Sequence, residues 1–323
     1  QAEVRRLLQH LKKAAICSMA LRPIDNALVL CTPPDRLKKP LKVPAFPIEN
    51  KHLDSQLTNE NKSVFPSSTT EPAIDYIASQ DLKPMPHPEL QLQDTVDGLE
   101  AKDWLKMCDS LNDVRRFALF HSLILKPNLE KVLVVLVRAM KNPRSALCKT
   151  AIMTSSDIFS SFGDELLVIS GEAFDHLIMQ LLLKASQDKR FVCEEADKAL
   201  TAMVKSTSPL PLLSKLQVYV THSNQRVRAK AAVSISHSVT RMNFVELEKV
   251  GVIPMIKMAM DLLNDRLPDA REAARHVLTS IHEKYTATRD EKQAEWEEFC
   301  KSNLAPVHAQ SAIKLTCSRE GAF

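Results

Sequence analysis

The sequence is poor in glycine, poor in aromatic side chains and free of any long apolar run. Only 5 of its 323 residues are glycine, and no G-x-G-x-x-G or G-x-x-x-x-G-K occurs. That argues against an enzyme that wraps a phosphate in glycine turns. Aromatics make up 5% while hydrophobic residues reach 45%, so a sizeable core is built from Leu, Val, Ile and Ala, as in packed helices. The longest apolar run, VLVVLV, is far shorter than the ~20 residues that span a bilayer, so no membrane partner is expected. The 7 cysteines are odd in number, scattered, and form no C-x-x-C pair. Cys108, Cys148 and Cys193 sit beside apolar residues on helical segments and read as small buried hydrophobes in a reducing compartment. Neither sign of charge dominates. The net charge of +4 is a mild tilt toward an acidic partner.

Catalytic patterns are missing as well. The 10 histidines make no H-E-x-x-H and join no zinc-binding spacing. His276 and His282 fall on different faces of a helix, and Ser170-Gly171 has no G-x-S-x-G context. Glu194 and Glu195 are adjacent and point apart, so they are not a paired acid and base. No enzyme, cofactor, metal or small-molecule substrate is expected.

What the sequence does contain is a repeat. In KNPRSALCKTAIMTSSDIFSSFG (141–163), Asn142 and Pro143 signal a helix start, an acceptor for an orphan N–H followed by a residue with none to satisfy. Behind them Cys148, Ile152, Ser155, Phe159 and Phe162 recur at the spacing of one apolar helical stripe. The apolar segment NLEKVLVVLVRAM precedes it, giving helix, short basic turn, helix.

The unit returns at SQDKRF before Val192, Ala196, Ala199 or Leu200, and Met203; at HSNQRVR before Val227, Ala231, Ile235, Val239 and Met242; and at NDRLPDAR before Ala274, Leu278, Ile281 and Tyr285. From Arg144 to Arg190, Arg228 and Arg271 the steps are about 46, 38 and 43 residues, within the HEAT and armadillo range. One pair cannot bury its stripe alone, but stacked pairs share a continuous core. The expected fold is all-α, an α-solenoid of five to six HEAT- or armadillo-like helix pairs.

Around this array the chain divides into four. Residues 1–20 have a helical rhythm through Val4, Leu7, Leu8, Leu11 and Ala15. Residues 21–90 read as a proline-rich disordered linker, since the first 90 residues hold 11 of the 18 prolines. Inside it, Arg36, Lys38, Lys39 and Lys42 form a basic cluster suited to an acidic polymer surface or to a localisation signal, or are simply solvated. Residues 91–304 are the repeat domain, its first pair irregular as a cap, with a charged last helix anchored by Trp296 and Phe299. Residues 305–323 show no clear periodicity and read as a tail.

The intra-repeat turns carry the distinctive residues: Trp104 in the first, Asn142 and Arg144 in the second, Lys189 and Arg190 in the third, Asn224 and Arg226 in the fourth, Asp269 and Arg271 in the fifth. Stacking aligns these turns along one edge. Asn, Asp and Pro there also serve as caps, a first-turn Arg also pairs with the next repeat, and burial is the commoner fate of a tryptophan. The set points to a binding strip more clearly than any member does.

DWLKMCDSLNDVRRFA, NPRSALCKTAIMTSSDIFSSFG, LLLKASQDKRFVCEEADKALTAMV and HSNQRVRAKAA resemble the TOG domain, in the form found in CLASP proteins and crescerin-like axonemal microtubule regulators. The resemblance covers roughly Leu99 to Tyr285. It implies a flat paddle of six HEAT-like pairs that binds αβ-tubulin or microtubules, in the cytoplasm on the cytoskeleton. The contacts it implies are Trp104, Arg144, Lys189, Arg190 and Arg226, with Arg271 in a less basic fifth turn. Asn142 and Asn224 share the second and fourth turns. The chain departs from the family by showing one such unit, where family members use arrays or add a basic linker; Arg36, Lys38, Lys39 and Lys42 are the candidates for that linker. The alternative is an armadillo-type scaffold or adaptor, actin- or nuclear-envelope-associated. Nucleic acid is disfavoured by the small net charge and scarce aromatics.

Overall fold

A computed structural model describes residues 76–169, 171–287 and 289–317. The helix expected over 1–20 and the basic cluster of Arg36, Lys38, Lys39 and Lys42 lie outside these residues. Among the described residues every regular element is helical, as the periodicities predict.

The helices come in six pairs. They are α1 (Pro88–Gly98) with α2 (Trp104–Phe120), then, after a short α3 (Ser122–Leu125), α4 (Leu129–Met140) with α5 (Ser145–Phe162). A short α6 (Glu165–Ile169) leads to α7 (Gly171–Ala185) with α8 (Arg190–Ser206). Next come α9 (Pro209–Gln217) with α10 (Gln225–Arg241), and, after α11 (Phe244–Val250), α12 (Val252–Leu262) with α13 (Pro268–Thr286). The last pair is α14 (Lys292–Asn303) with α15 (Pro306–Cys317).

The second helices of successive pairs pack side by side, α2 on α5, α5 on α8, and α10 on α13, whereas α10 meets α8 over a narrower contact. The stack therefore has a front layer of three pairs and a rear group that begins at the fourth. The stripes read from sequence line the shared core: Leu111, Val114, Ile152, Phe159, Leu181, Ala196, Ile235, Val239, Leu278 and Ile281 are fully buried.

Gly163 ends α5 in a left-handed conformation, φ 48°, and a Cβ there would lie 2.6 Å from the Ser206 carbonyl oxygen. Only glycine permits both that turn and that approach. Beside it the Asp164 carboxylate accepts hydrogen bonds from the Ser208 N–H and hydroxyl, tying the end of the second pair to the end of the third.

Two boundaries differ from expectation. Part of the stretch read as linker has regular structure, a helical turn at Ser79–Asp81 and a helix that starts at Pro88, before Gln91. Residues 76–82 run over α2 and α5, held by Arg115, which is 1% exposed. Its Nε meets Asp157 Oδ2 at 2.6 Å and its Nη1 donates to the Ile77 carbonyl at 2.8 Å. The Ser79 hydroxyl donates to Asp157 Oδ1 at 2.6 Å. A buried charge needs this many partners, which is why so polar a strap stays in place. Pro88, counted as a helix blocker, is instead the first residue of α1, where a missing N–H costs nothing.

The other difference is at the far end, where the expected tail is α15. Its buried face is Ala309, Ala312 and Thr316, small residues that allow close packing but give a weak hydrophobic rhythm. Trp296 is enclosed there, its Nε1 donating to Thr316 Oγ1 at 3.0 Å. His282 and Tyr285 of α13 pack against the same indole, so α13 and α15 enclose it together.

Candidate binding edge

Each second helix begins at a turn, and four of these turns share a local device. A side-chain oxygen accepts a hydrogen bond from the N–H two residues on: Asp103 from Leu105, Asn142 from Arg144, Asn224 from Arg226, and Asp265 from Leu267. Such short-range bonds hold the chain out of the helix until the following residue. They correct one detail. Asn142 and Pro143 do not open α5, whose first residue is Ser145; Asn142 shapes the turn three residues earlier.

Neighbouring turns touch. The Arg144 guanidinium of the second turn lies over the Trp104 ring of the first, 4.8 Å from its centroid. Trp104 is half-buried: one part packs on the core while Arg144, itself exposed, covers another. It is neither a free aromatic nor a core one. Between the second and third turns, burial pushes the Cys148 thiol pKa up while Lys184 and Lys189 are near enough to oppose it. Arg226 of the fourth turn reaches back to the third, donating to Asp188 Oδ1 at 2.5 Å and to the Ser186 carbonyl. Arg228 reaches forward to the fifth, its Nε 2.7 Å from Asp265 Oδ2. Arg271 donates to the carbonyls of Asp265 and Arg266, both at 2.9 Å, within its own turn.

The first turn is thus tied to the second, and the third to the fourth and fifth, along one edge whose cations differ in state. Lys189 is exposed and its ammonium has no hydrogen bond or ion pair among the described residues. Arg190, its side chain 90% exposed, meets only Glu194 one helical turn away. Pairs of that kind are worth little and open readily. Arg226 is engaged by the third turn, and Arg271 by carbonyls of its own. The acids that hold this rear part, Asp188 and Asp265, and the cation Arg228 were missing from the expected set, although each sits in a turn quoted above. Burial works to raise the Asp265 carboxyl pKa, but the Leu267 N–H, Arg228 and the Arg266 N–H outweigh it and hold the group below the usual range.

No helix among the described residues is long and apolar enough to cross a membrane. No protein-family model matches the chain. Among curated proteins, the human TOG array regulator of axonemal microtubules protein 1 is 32% identical over 151 residues, which is 47% of this chain and 8% of that protein. The mouse protein of the same name is 32% identical over 177 residues, 51% of this chain and 10% of that one. The matched stretch is thus a tenth or less of the length of these relatives. Among solved structures, the TOG domain of C. elegans Zyg9 superposes with a TM-score of 0.53 at 17% identity, over 76% of this chain and 91% of that one. In sequence the chain is related to the TOG array regulators of axonemal microtubules, and in fold it is a TOG-type stack of HEAT-like helix pairs.

Proposed function

We propose that the turn edge binds αβ-tubulin, free or within a microtubule, and that the chain regulates microtubule organisation or dynamics without catalysis, on the cytoskeleton in the cytoplasm. The observation that carries this reading is the Trp104–Arg144 stack at the head of the turn edge, in a chain whose relatives are named as regulators of axonemal microtubules. A large aromatic on a rigid turn supplies contact area at low entropic cost, and exposed cations steer an acidic partner. In this scheme Trp104, Arg144, Lys189 and Arg190 meet the partner. Asn142 and Asn224 set the turn shape, and Arg226 and Arg271 extend the contact along the fourth and fifth turns. Arg36, Lys38, Lys39 and Lys42 add salt-sensitive attachment to the lattice from the preceding segment.

The armadillo-type scaffold is less well supported. A peptide groove of that kind repeats Asn and Trp along inner helices, whereas Trp296 is enclosed within the last pair. Gel filtration of the chain with free tubulin, run beside co-sedimentation with microtubules, tests the reading. Co-elution or pelleting is expected, and failure of both contradicts it.

A further inference from the structure

The second residue of each second helix occupies the same place on the edge, one step inside the turn. Val307 holds this place in the closing pair, and over the five turns of the edge the residues are, in chain order, Leu105, Ala146, Phe191, Arg226 and Asp269. The first three are apolar and belong to α2, α5 and α8, the helices packed as one front layer. The last two are charged and belong to the rear group. The same division runs through the cations. Lys189 and Arg190 face solvent at the front, and Arg144 covers Trp104 there, whereas Arg226, Arg228 and Arg271 are satisfied by Asp188, Asp265 and turn carbonyls at the rear.

Phe191 is the member that neither capping nor packing explains. It is 43% exposed, and among the described residues its ring has no aromatic or cationic partner. The next residue, Val192, already fills the core position of α8 at 2% exposure, so Phe191 is not needed to close the stack. A large aromatic left partly exposed at a rigid helix start, directly after Lys189 and Arg190, has the character of an interface anchor.

We propose that partner contact is confined to the first three turns, and that Phe191 is a second aromatic anchor beside Trp104. Two spacings between packed helices separate them, roughly 16–20 Å at the usual interaxial distance of 8–10 Å. The fitting partner is therefore a rigid acidic protein surface offering two apolar depressions that far apart. The fourth and fifth turns, joined to the third through Arg226 and Asp188, act as a brace that holds the front layer in shape. This division rests on the function proposed above, and it narrows that proposal to three turns and adds a residue to it.

The test measures the affinity of the full chain for purified αβ-tubulin, together with the melting temperature of each variant. Phe191→Ala is expected to weaken binding at least about tenfold, within the range of anchor truncations. Its melting temperature stays with that of the parent, because the ring contributes little to the core. Phe191→Leu keeps apolar area and retains most of the affinity. Asp269→Ala, at the matching place in the fifth turn, leaves affinity within about threefold. If Trp104→Ala weakens binding while Phe191→Ala leaves it within threefold of the parent, the second anchor is overturned and the proposed function stands. If Asp269→Ala weakens binding as much as Phe191→Ala, confinement to the front turns is overturned. If the parent itself neither co-elutes nor pellets with tubulin, the function fails and this inference with it.

Discussion

Arg144 and Trp104 join the first two turns of the stack, the guanidinium carbon lying 4.8 Å from the centre of the indole. A cation over an aromatic face at a partly exposed site contributes about 0.5–1 kcal/mol. It also shields the ring from water. Replacing Arg144 by Ala should therefore expose Trp104, while Trp296 stays enclosed in the last pair. The check is tryptophan fluorescence quenching by acrylamide. The variant should show a larger accessible fraction than the parent at nearly unchanged stability, and equal quenching would mean that the stack does not persist in solution.

Breaking the buried pair Arg115–Asp157 should strongly destabilise the front layer. Removing one partner of a buried, hydrogen-bonded ion pair costs about 3–5 kcal/mol, because the other charge is left unpaired. Arg115→Ala should lower the urea midpoint by a corresponding amount. Replacing Arg115 by Met together with Asp157 by Leu should recover much of that loss. Ser79→Ala, which removes one hydroxyl bond to Asp157, should cost nearer 1 kcal/mol. A small effect of Arg115→Ala would show that residues 76–82 and the pair beneath them are not held as described.

At Gly163, alanine would combine a left-handed backbone with a contact to the Ser206 carbonyl at 2.6 Å. The strain alone costs about 1 kcal/mol or more, and the contact adds to it by separating the ends of α5 and α8. Gly163→Ala should lower the melting temperature by several degrees. An unchanged melting curve would mean that this turn relaxes without cost.

Asp265 supplies a pH dependence with a defined sign. Its pKa in the folded chain is below the ordinary carboxylate value: burial opposes ionisation, but the Leu267 N–H, Arg228 and the Arg266 N–H favour it more. A group whose pKa falls on folding adds stability that is fully present above the unfolded value, near 3.9, and lost as pH drops through the folded one. The stability gap between the parent and Asp265→Asn should be steady at neutral pH and should shrink below about pH 4. A gap that widens on acidification would contradict the arrangement of the fifth turn.

The helical pairs were legible in the sequence because their buried stripes are built mostly from bulky apolar residues at regular spacing. Cys148, Ile152, Phe159 and Phe162 show one such face, and Leu177, Ile178, Leu181 and Leu182 another. Helix α15 escaped notice because Ala309 and Ala312 pack by being small, which periodicity in hydrophobic bulk does not register. The strap over Arg115 escaped for a different reason. Its hold is polar and joins residues about 40 or more apart, as in the Arg115–Asp157 and Ser79–Asp157 contacts, and local pattern contains no record of that. On the edge itself, the turns and their Asn and Asp residues could be found from spacing alone. Which cations face solvent and which are tied to Asp188 or Asp265 depends on stacking, and only the folded chain separates them.

The most direct measurement of the central claim is the affinity of Trp104→Ala for αβ-tubulin, taken together with its helix content and melting temperature. An anchor at the head of the edge should lose at least about 2 kcal/mol of binding on truncation, while the fold changes little because the ring is only half-buried. The opposite pattern, unchanged tubulin affinity in a destabilised chain, would make Trp104 a core residue and the turn edge a set of helix caps with no partner.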